Sequence, residues 1–184
     1  MEMASAAVPV PNCVSCAYTS GKRRAPGGRV YENDHWLAEP AGTPWGIGTM
    51  VVKTQAHREA LWELTPNEAA SLGPTLRAVS RAIVEALGAE RVYLLMMVDA
   101  PPHHVHMLLL PRYPEDELPA ETAAALADAQ QLVKQATNRL GGVDTEAVSL
   151  RERMVLAAPL LQRDSDYDGA ARAASKVRAY LTEH

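Results

Sequence analysis

His103-His104-Val105-His106-Met107-Leu108-Leu109-Leu110-Pro111-Arg112 is the stretch on which the reading of this chain turns. Three of the chain's six histidines are packed into it, and an apolar run leads straight out of them. Read as a strand, period-2 alternation puts His104, His106 and Leu108 on one face and Val105, Met107 and Leu109 on the other. Two imidazoles then stand side by side on a rigid element, where one reacts and the other orients it or binds a metal.

The neighbours of this stretch suggest an antiparallel sheet. Val92 to Val98 (VYLLMMV) is a continuous apolar strand. The linker Asp99-Ala100-Pro101-Pro102 is too short for a crossover, so Val105 to Leu110 is expected to pair with that strand antiparallel. Upstream, Thr49 to Thr54 (TMVVKT) is a β-branched strand that ends just before His57. Between them lies a helix with Thr65 as N-cap, Pro66 in the first turn and Glu68 closing a capping box. It runs to Leu87 and stops at Gly88, and Gly73-Pro74 should kink its first half. Arg29 to Glu32 and Trp36 to Glu39 read as short strands around the turn Asn33-Asp34, followed by a Gly/Pro loop from Pro40 to Gly48.

Residues 1–12 are small and Pro-rich, and are expected to be mobile. Beyond Arg112 the chain becomes Ala-rich, with helices expected over Glu121–Leu140, Leu150–Leu161 and Ala170–Leu181. The organisation expected is therefore a mobile leader, a sheet-and-helix domain over 13–113, and a helical extension over 114–184 packed on it. The class is α+β, with about five antiparallel strands and the long helix laid across them.

Composition narrows the partners. At 184 residues there is chain enough for a genuine core. A formal net charge of −4 argues against a nonspecific nucleic-acid or anionic-membrane partner, because either demands a basic surface. The basic cluster Lys22-Arg23-Arg24 beside Pro26-Gly27-Gly28 reads as a solvated loop. No apolar run reaches the roughly 18 residues of a membrane span. The N-terminus lacks a basic region followed by an apolar core, so a cytoplasmic location is expected.

Cys13 and Cys16 form a lone C-x-x-C, a spacing that suits metal ligation or thiol redox chemistry. A redox pair would follow a buried strand and open a helix. The flanks Pro11-Asn12 and Ala17-Tyr18-Thr19-Ser20-Gly21 read instead as a knuckle. Zinc needs two further ligands, and histidines are the candidates.

Taken in order, C-x-x-C, VYEND-H, a Gly/Pro loop, MVVKTQAH, REALWELTPNEAASLG and HHVHMLLLPRY resemble the histidine-triad (HIT) superfamily of nucleotide hydrolases and transferases. The resemblance spans roughly Pro11 to Tyr113. The family alternates three histidines with apolar residues, usually just before a Pro-Arg. Anchoring on Pro111-Arg112 sets His104 first, His106 second and Leu108 third.

The resemblance implies that His106 is the nucleophile. It would attack the α-phosphorus of a nucleotide or nucleotide conjugate and form a covalent nucleotidyl-histidine, which water or an acceptor resolves. It also implies a structural zinc held by Cys13, Cys16, His57 and His104, with His35 as the alternative third ligand, and a homodimer whose sheets pair across a two-fold axis. Three features depart from the family pattern. Leu108 stands where a donor to phosphate or leaving group is usual. The preceding loop is Pro-rich and so lacks amide N–H groups, leaving His103 as the residue to take over a lost contact. The ribose-binding carboxylate is expected near Ala41, and Glu39 lies two residues away. Two functions follow: a nucleotidyl hydrolase or transferase, or a zinc-stabilised fold with lost or redirected catalysis in a nucleotide-binding, scaffold or divergent biosynthetic role.

Overall fold

The computed structural model describes residues 9–41, 47–96, 101–113 and 167–184, all within one compact unit. The expected helices over Glu121–Leu140 and Leu150–Leu161 lie outside the described residues. A five-stranded antiparallel sheet runs in the order β1-β2-β3-β5-β4. Its strands are β1 (Tyr31–Glu32), β2 (Trp36–Pro40), β3 (Met50–Thr54), β4 (Arg91–Leu95) and β5 (His106–Arg112). Helices α1 (Val14–Thr19), α2 (Pro66–Leu87) and α3 (Tyr167–Glu183) complete the described fold, with a short 3-10 turn at Leu61–Glu63.

Period-2 alternation gives the sheet two unlike faces. Trp36, Ala38, Met50, Val52, Met107 and Leu109 point into a common core with Val79, Ala82 and Ile83 of α2. Burying side chains of this size contributes about 1.5–3 kcal/mol each, which outweighs the weak intrinsic strand preference of the shorter segments. Leu37, Glu39, Val51, Lys53, His106 and Leu108 alternate with that set and so take the other face. The second face carries the unusual chemistry.

Helix α2 starts as its sequence dictates. The Thr65 hydroxyl accepts from the Glu68 N–H, and the Glu68 carboxylate accepts from the Thr65 N–H, a reciprocal box that satisfies two end donors. Gly88 ends the helix in the left-handed conformation that glycine adopts most easily. The helix is continuous through Pro74. Gly73 and Pro74 are exposed, so the carbonyl that Pro74 cannot partner faces water rather than the core. Helix α3 packs Ala174 and Val177 into the same core, and Arg178 Nε donates to the Arg29 carbonyl at 2.8 Å. Gly27 has φ of +74°, and a Cβ there would lie 2.9 Å from that of Ala174, so only glycine permits this approach.

Several element boundaries differ from the sequence reading: β4 spans Arg91–Leu95 against an expected Val92–Val98, β5 runs on to Arg112, and the last helix starts at Tyr167. β5 begins at His106 instead of Val105: the Val105 carbonyl still accepts from the Thr54 N–H at 3.3 Å, but its own N–H turns to the Arg58 carbonyl at 2.7 Å. The C-x-x-C opens a short helix and is no open knuckle. Cys13 is its N-cap, and the Cys13 sulfur accepts from the Cys16 N–H at 3.4 Å, doing the work a Ser or Asp oxygen usually does.

Glu68 gives the fold a pH dependence. Burial alone would push its carboxyl up, but Arg58 Nε at 3.0 Å and the Thr65 N–H at 2.7 Å outweigh burial and hold it below the usual glutamate value. A carboxylate depressed in the folded state stabilises above its unfolded pKa, and that contribution is lost as pH falls through the folded value. Glu68→Gln is therefore expected to cost on the order of 2 kcal/mol at pH 7 and much less at pH 3. Thermal melts of both proteins check this; an equal loss at the two pH values would show that the charge is irrelevant.

Candidate functional site

Four sequence-distant ligand atoms converge where α1, the end of β3 and the approach to β5 meet. Those of Cys13, Cys16, His57 and His104 all lie within 4.8 Å of one another. Cys13 Sγ is 3.4 Å from His104 Nδ1, Cys16 Sγ is 3.6 Å from the same nitrogen, and Cys16 Sγ is 3.3 Å from His57 Nδ1. Both cysteines are free. A tetrahedral zinc with ordinary Zn–S and Zn–N bonds sets neighbouring sulfur and nitrogen ligands about 3.5 Å apart, so the spacing fits that ion. His35, the alternative ligand, is not in this cluster; its N–H instead donates to Asn33 Oδ1 at 2.9 Å, and its carbonyl accepts from the Gln55 N–H at 2.8 Å.

The outer contacts set the tautomers. His104 Nε2 is 3.0 Å from the Thr54 carbonyl oxygen, which only accepts, so Nε2 carries the hydrogen and the Nδ1 lone pair faces the sulfurs. His57 Nε2 lies 3.4 Å from a Glu59 carboxylate oxygen and is assigned in the same way. A carbonyl or carboxylate behind each imidazole is the usual arrangement around a metal-ligating histidine. Burial lowers the His104 pKa to about 4, keeping the ring neutral at pH 7, as a ligand must be. Burial also pushes the Cys16 thiol up, and a bound dication is what would favour its thiolate.

His106 sits two residues beyond. Its Nδ1 is 2.7 Å from the His104 carbonyl oxygen, so Nδ1 donates and the Nε2 lone pair is left free. The ring is half-buried, on the sheet face opposite α2. The backbone carbonyl of one metal-cluster residue thus orients the ring of the next histidine. The chain has a nucleophile-shaped imidazole fixed by one short hydrogen bond.

The remaining candidates separate. Leu108 is buried and faces the same side as His106, flanked by its ladder partners Val51 and Leu95, and offers no hydrogen-bond donor. Glu39 also lies on that face, where its carboxylate accepts from Lys53 Nζ in a buried ion pair. His103 is half-buried, and among the described residues its buried Nδ1 has no hydrogen-bond partner. The structure does not bring His103 onto the cluster.

Lys53 is the residue the sequence reading missed. It is the direct ladder partner of His106, is 2 % exposed, and its ammonium lies 4.5 Å from the centroid of the Tyr18 ring. Burial pulls its pKa below the usual ammonium range, while the Glu39 carboxylate works the other way. The signal was present in TMVVKT, where a single lysine interrupts a β-branched strand directly beside the stretch that carries His57.

Compared with known proteins, the sequence matches no protein-family model and no curated protein. Solved structures match the fold. A zinc-bound histidine triad family protein from Mycobacterium smegmatis superposes with a TM-score of 0.59 at 20% identity, covering 94% of both chains. A hypothetical histidine triad nucleotide-binding protein from Sulfolobus tokodaii gives 0.59 at 16% identity over 93% of both. A HIT family protein from Bacillus anthracis gives 0.51 at 22% identity, covering 70% of this chain and 97% of the other. The chain has the histidine-triad fold.

Protein purified without added metal is expected to contain about one zinc per chain, and Cys16→Ser or His104→Ala to lose metal and thermal stability together. Elemental analysis beside melting curves reads both. A fully folded, metal-free wild type would contradict the assignment.

Proposed function

We propose that this histidine-triad fold is a nucleotidyl hydrolase or nucleotidyltransferase acting through His106. The observation that carries the reading is the 2.7 Å hydrogen bond from His106 Nδ1 to the His104 carbonyl, which fixes the ring and leaves the lone pair on Nε2. Nε2 attacks the α-phosphorus of a nucleotide conjugate, an N–P bond forms, and the P–O bond to the leaving group breaks. Positive charge grows on the ring as it attacks, and the His104 carbonyl stabilises it without reorganisation. Water or an acceptor hydroxyl then attacks phosphorus, the N–P bond returns its electrons to Nε2, and the attacking group's proton passes to solvent. Splitting one displacement into two is what nucleophilic catalysis achieves.

Cys13, Cys16, His57 and His104 would hold zinc as a closed four-ligand site, which supplies rigidity and leaves no open position for chemistry. Its effect on His106 passes through His104, a ligand on one side and the carbonyl partner on the other. Glu39, on the His106 face, is assigned to a sugar hydroxyl. Leu108 would contact the substrate without donating, and His103 is the reserve donor at the mouth of the strand. Two chains are proposed to pair along β4, an edge strand with Tyr93 and Leu94 more than half exposed. Among the described residues no helix is long and apolar enough to cross a membrane.

A second reading keeps the fold and zinc but redirects or loses turnover. It is favoured by Leu108, buried between two aliphatic partners where the hydrolase pattern has a donor.

Intact-mass spectrometry after mixing with adenylyl donors separates the two. The first reading expects the mass of one nucleotidyl group on wild type and none on His106→Ala, with Leu108→His hydrolysing the donors faster by about a hundredfold, the low end of what a positioned proton donor contributes. Sedimentation of the same samples is expected to show two chains. No adduct on wild type, with Leu108→His also inert, would sink the nucleotidyl reading.

A further inference from the structure

A buried lysine on the reactive face is costly, and the mechanism above does not use it. Taking an ammonium and a carboxylate out of water carries a large desolvation penalty, and apolar residues of similar volume often serve stability as well. Lys53 and Glu39 are nonetheless both buried on this face, in direct ion-pair contact, with the Tyr18 ring over the ammonium. Directly opposed residues on neighbouring antiparallel strands have Cβ atoms about 5 Å apart. Lys53 and His106 are such a pair, on the same face.

Transfer to His106 has a matching need. A phosphoryl group carries negative charge on its non-bridging oxygens, and enzymes meet it with preorganised cations or N–H donors. Leu108 offers neither. Pro101 and Pro102 have no N–H to present. Arg112 shares the face, but it lies at the far end of β5, is exposed, and sits 3.9 Å from Glu90. Among the described residues, Lys53 is the cation beside His106.

We propose that Lys53 is the anion-binding residue of the site: its ammonium leaves Glu39 to engage the non-bridging oxygens of the phosphoryl group presented to His106, in place of a donor at the third triad position. This rests on the reading of His106 as the residue that accepts the nucleotidyl group. The flexible four-carbon stem allows Nζ to move between Glu39 and a ligand oxygen while the backbone stays in the ladder. Glu39 is then both the holder of the charge in the free protein and its competitor. In a dry setting the charge-assisted contact is far stronger than at the surface.

Inorganic pyrophosphate is the probe, because it presents phosphoryl oxygens and no sugar or base. Calorimetric titration into the full-length, zinc-loaded chain is expected to show binding that weakens about tenfold or more in Lys53→Met, the effect of losing one charged hydrogen bond. Lys53→Arg should retain most of the affinity, and Glu39→Gln should bind pyrophosphate more tightly, since the competing carboxylate charge is gone. These opposite directions keep the test decisive even where Lys53→Met folds poorly, because a merely structural pair would weaken with either change. Wild type that binds no pyrophosphate, Lys53→Met that binds it as wild type does, or Glu39→Gln that binds it more weakly than wild type overturns the proposal. Adenosine monophosphate that binds no tighter than inorganic phosphate would count against the nucleotide reading, while the pyrophosphate series would still assign Lys53.

Discussion

His104 is fixed from three sides, and the site depends on that. Its Nδ1 faces two cysteine sulfurs, its Nε2 donates to the Thr54 carbonyl, and its own carbonyl accepts from His106. None of these contacts is local in sequence except the last. They tie the N-terminal helix, the end of β3 and the start of β5 into one rigid junction. Were the His104 ring released, the sulfurs would lose a partner, and the backbone that carries the acceptor for His106 would lose its anchor. Val105 adds two further ties at the same junction, its carbonyl accepting from the Thr54 N–H and its N–H donating to the Arg58 carbonyl.

The second constraint is the two-sidedness of the sheet. Its inner face is filled by α2 and α3 with ordinary apolar packing. Its outer face interleaves aliphatic residues with Glu39, Lys53 and His106. Strand alternation makes this possible with no long loops: the residues that build the core and those that build the site come from the same short strands, one position apart. A one-residue register slip would turn the Lys53 side chain into the apolar core and Met107 away from it, so the core itself enforces the register that aligns the site. Tyr18 adds a further tie, since the helix that carries Cys16 also lays a ring over the Lys53 ammonium.

Much of this was legible in residues alone. Thr65, Pro66, Glu68 and Gly88 announced both ends of α2, because capping is a local hydrogen-bond problem with few solutions. The antiparallel pairing of β4 with β5 followed from a linker too short for a crossover. The grouping of Cys13 and Cys16 with His57 and His104, and the choice of His57 over His35, came with the family resemblance; nothing in the spacing alone selected them. What stayed hidden has non-local causes. The start of β5 depends on a carbonyl from Arg58, and the helical turn at the C-x-x-C depends on a sulfur acting as a cap. Lys53 was overlooked because a charge in a strand ordinarily points to water. Only the packed structure shows it buried, paired with a glutamate from the neighbouring strand.

The central claim is that the His104 carbonyl holds His106 as the Nδ1–H tautomer with Nε2 free. Long-range nitrogen–proton NMR on imidazole-labelled, zinc-loaded protein at neutral pH reads each tautomer directly. The account predicts the hydrogen on Nδ1 of His106 and on Nε2 of both His104 and His57. His106 protonated at Nε2, or exchanging between tautomers, would contradict it.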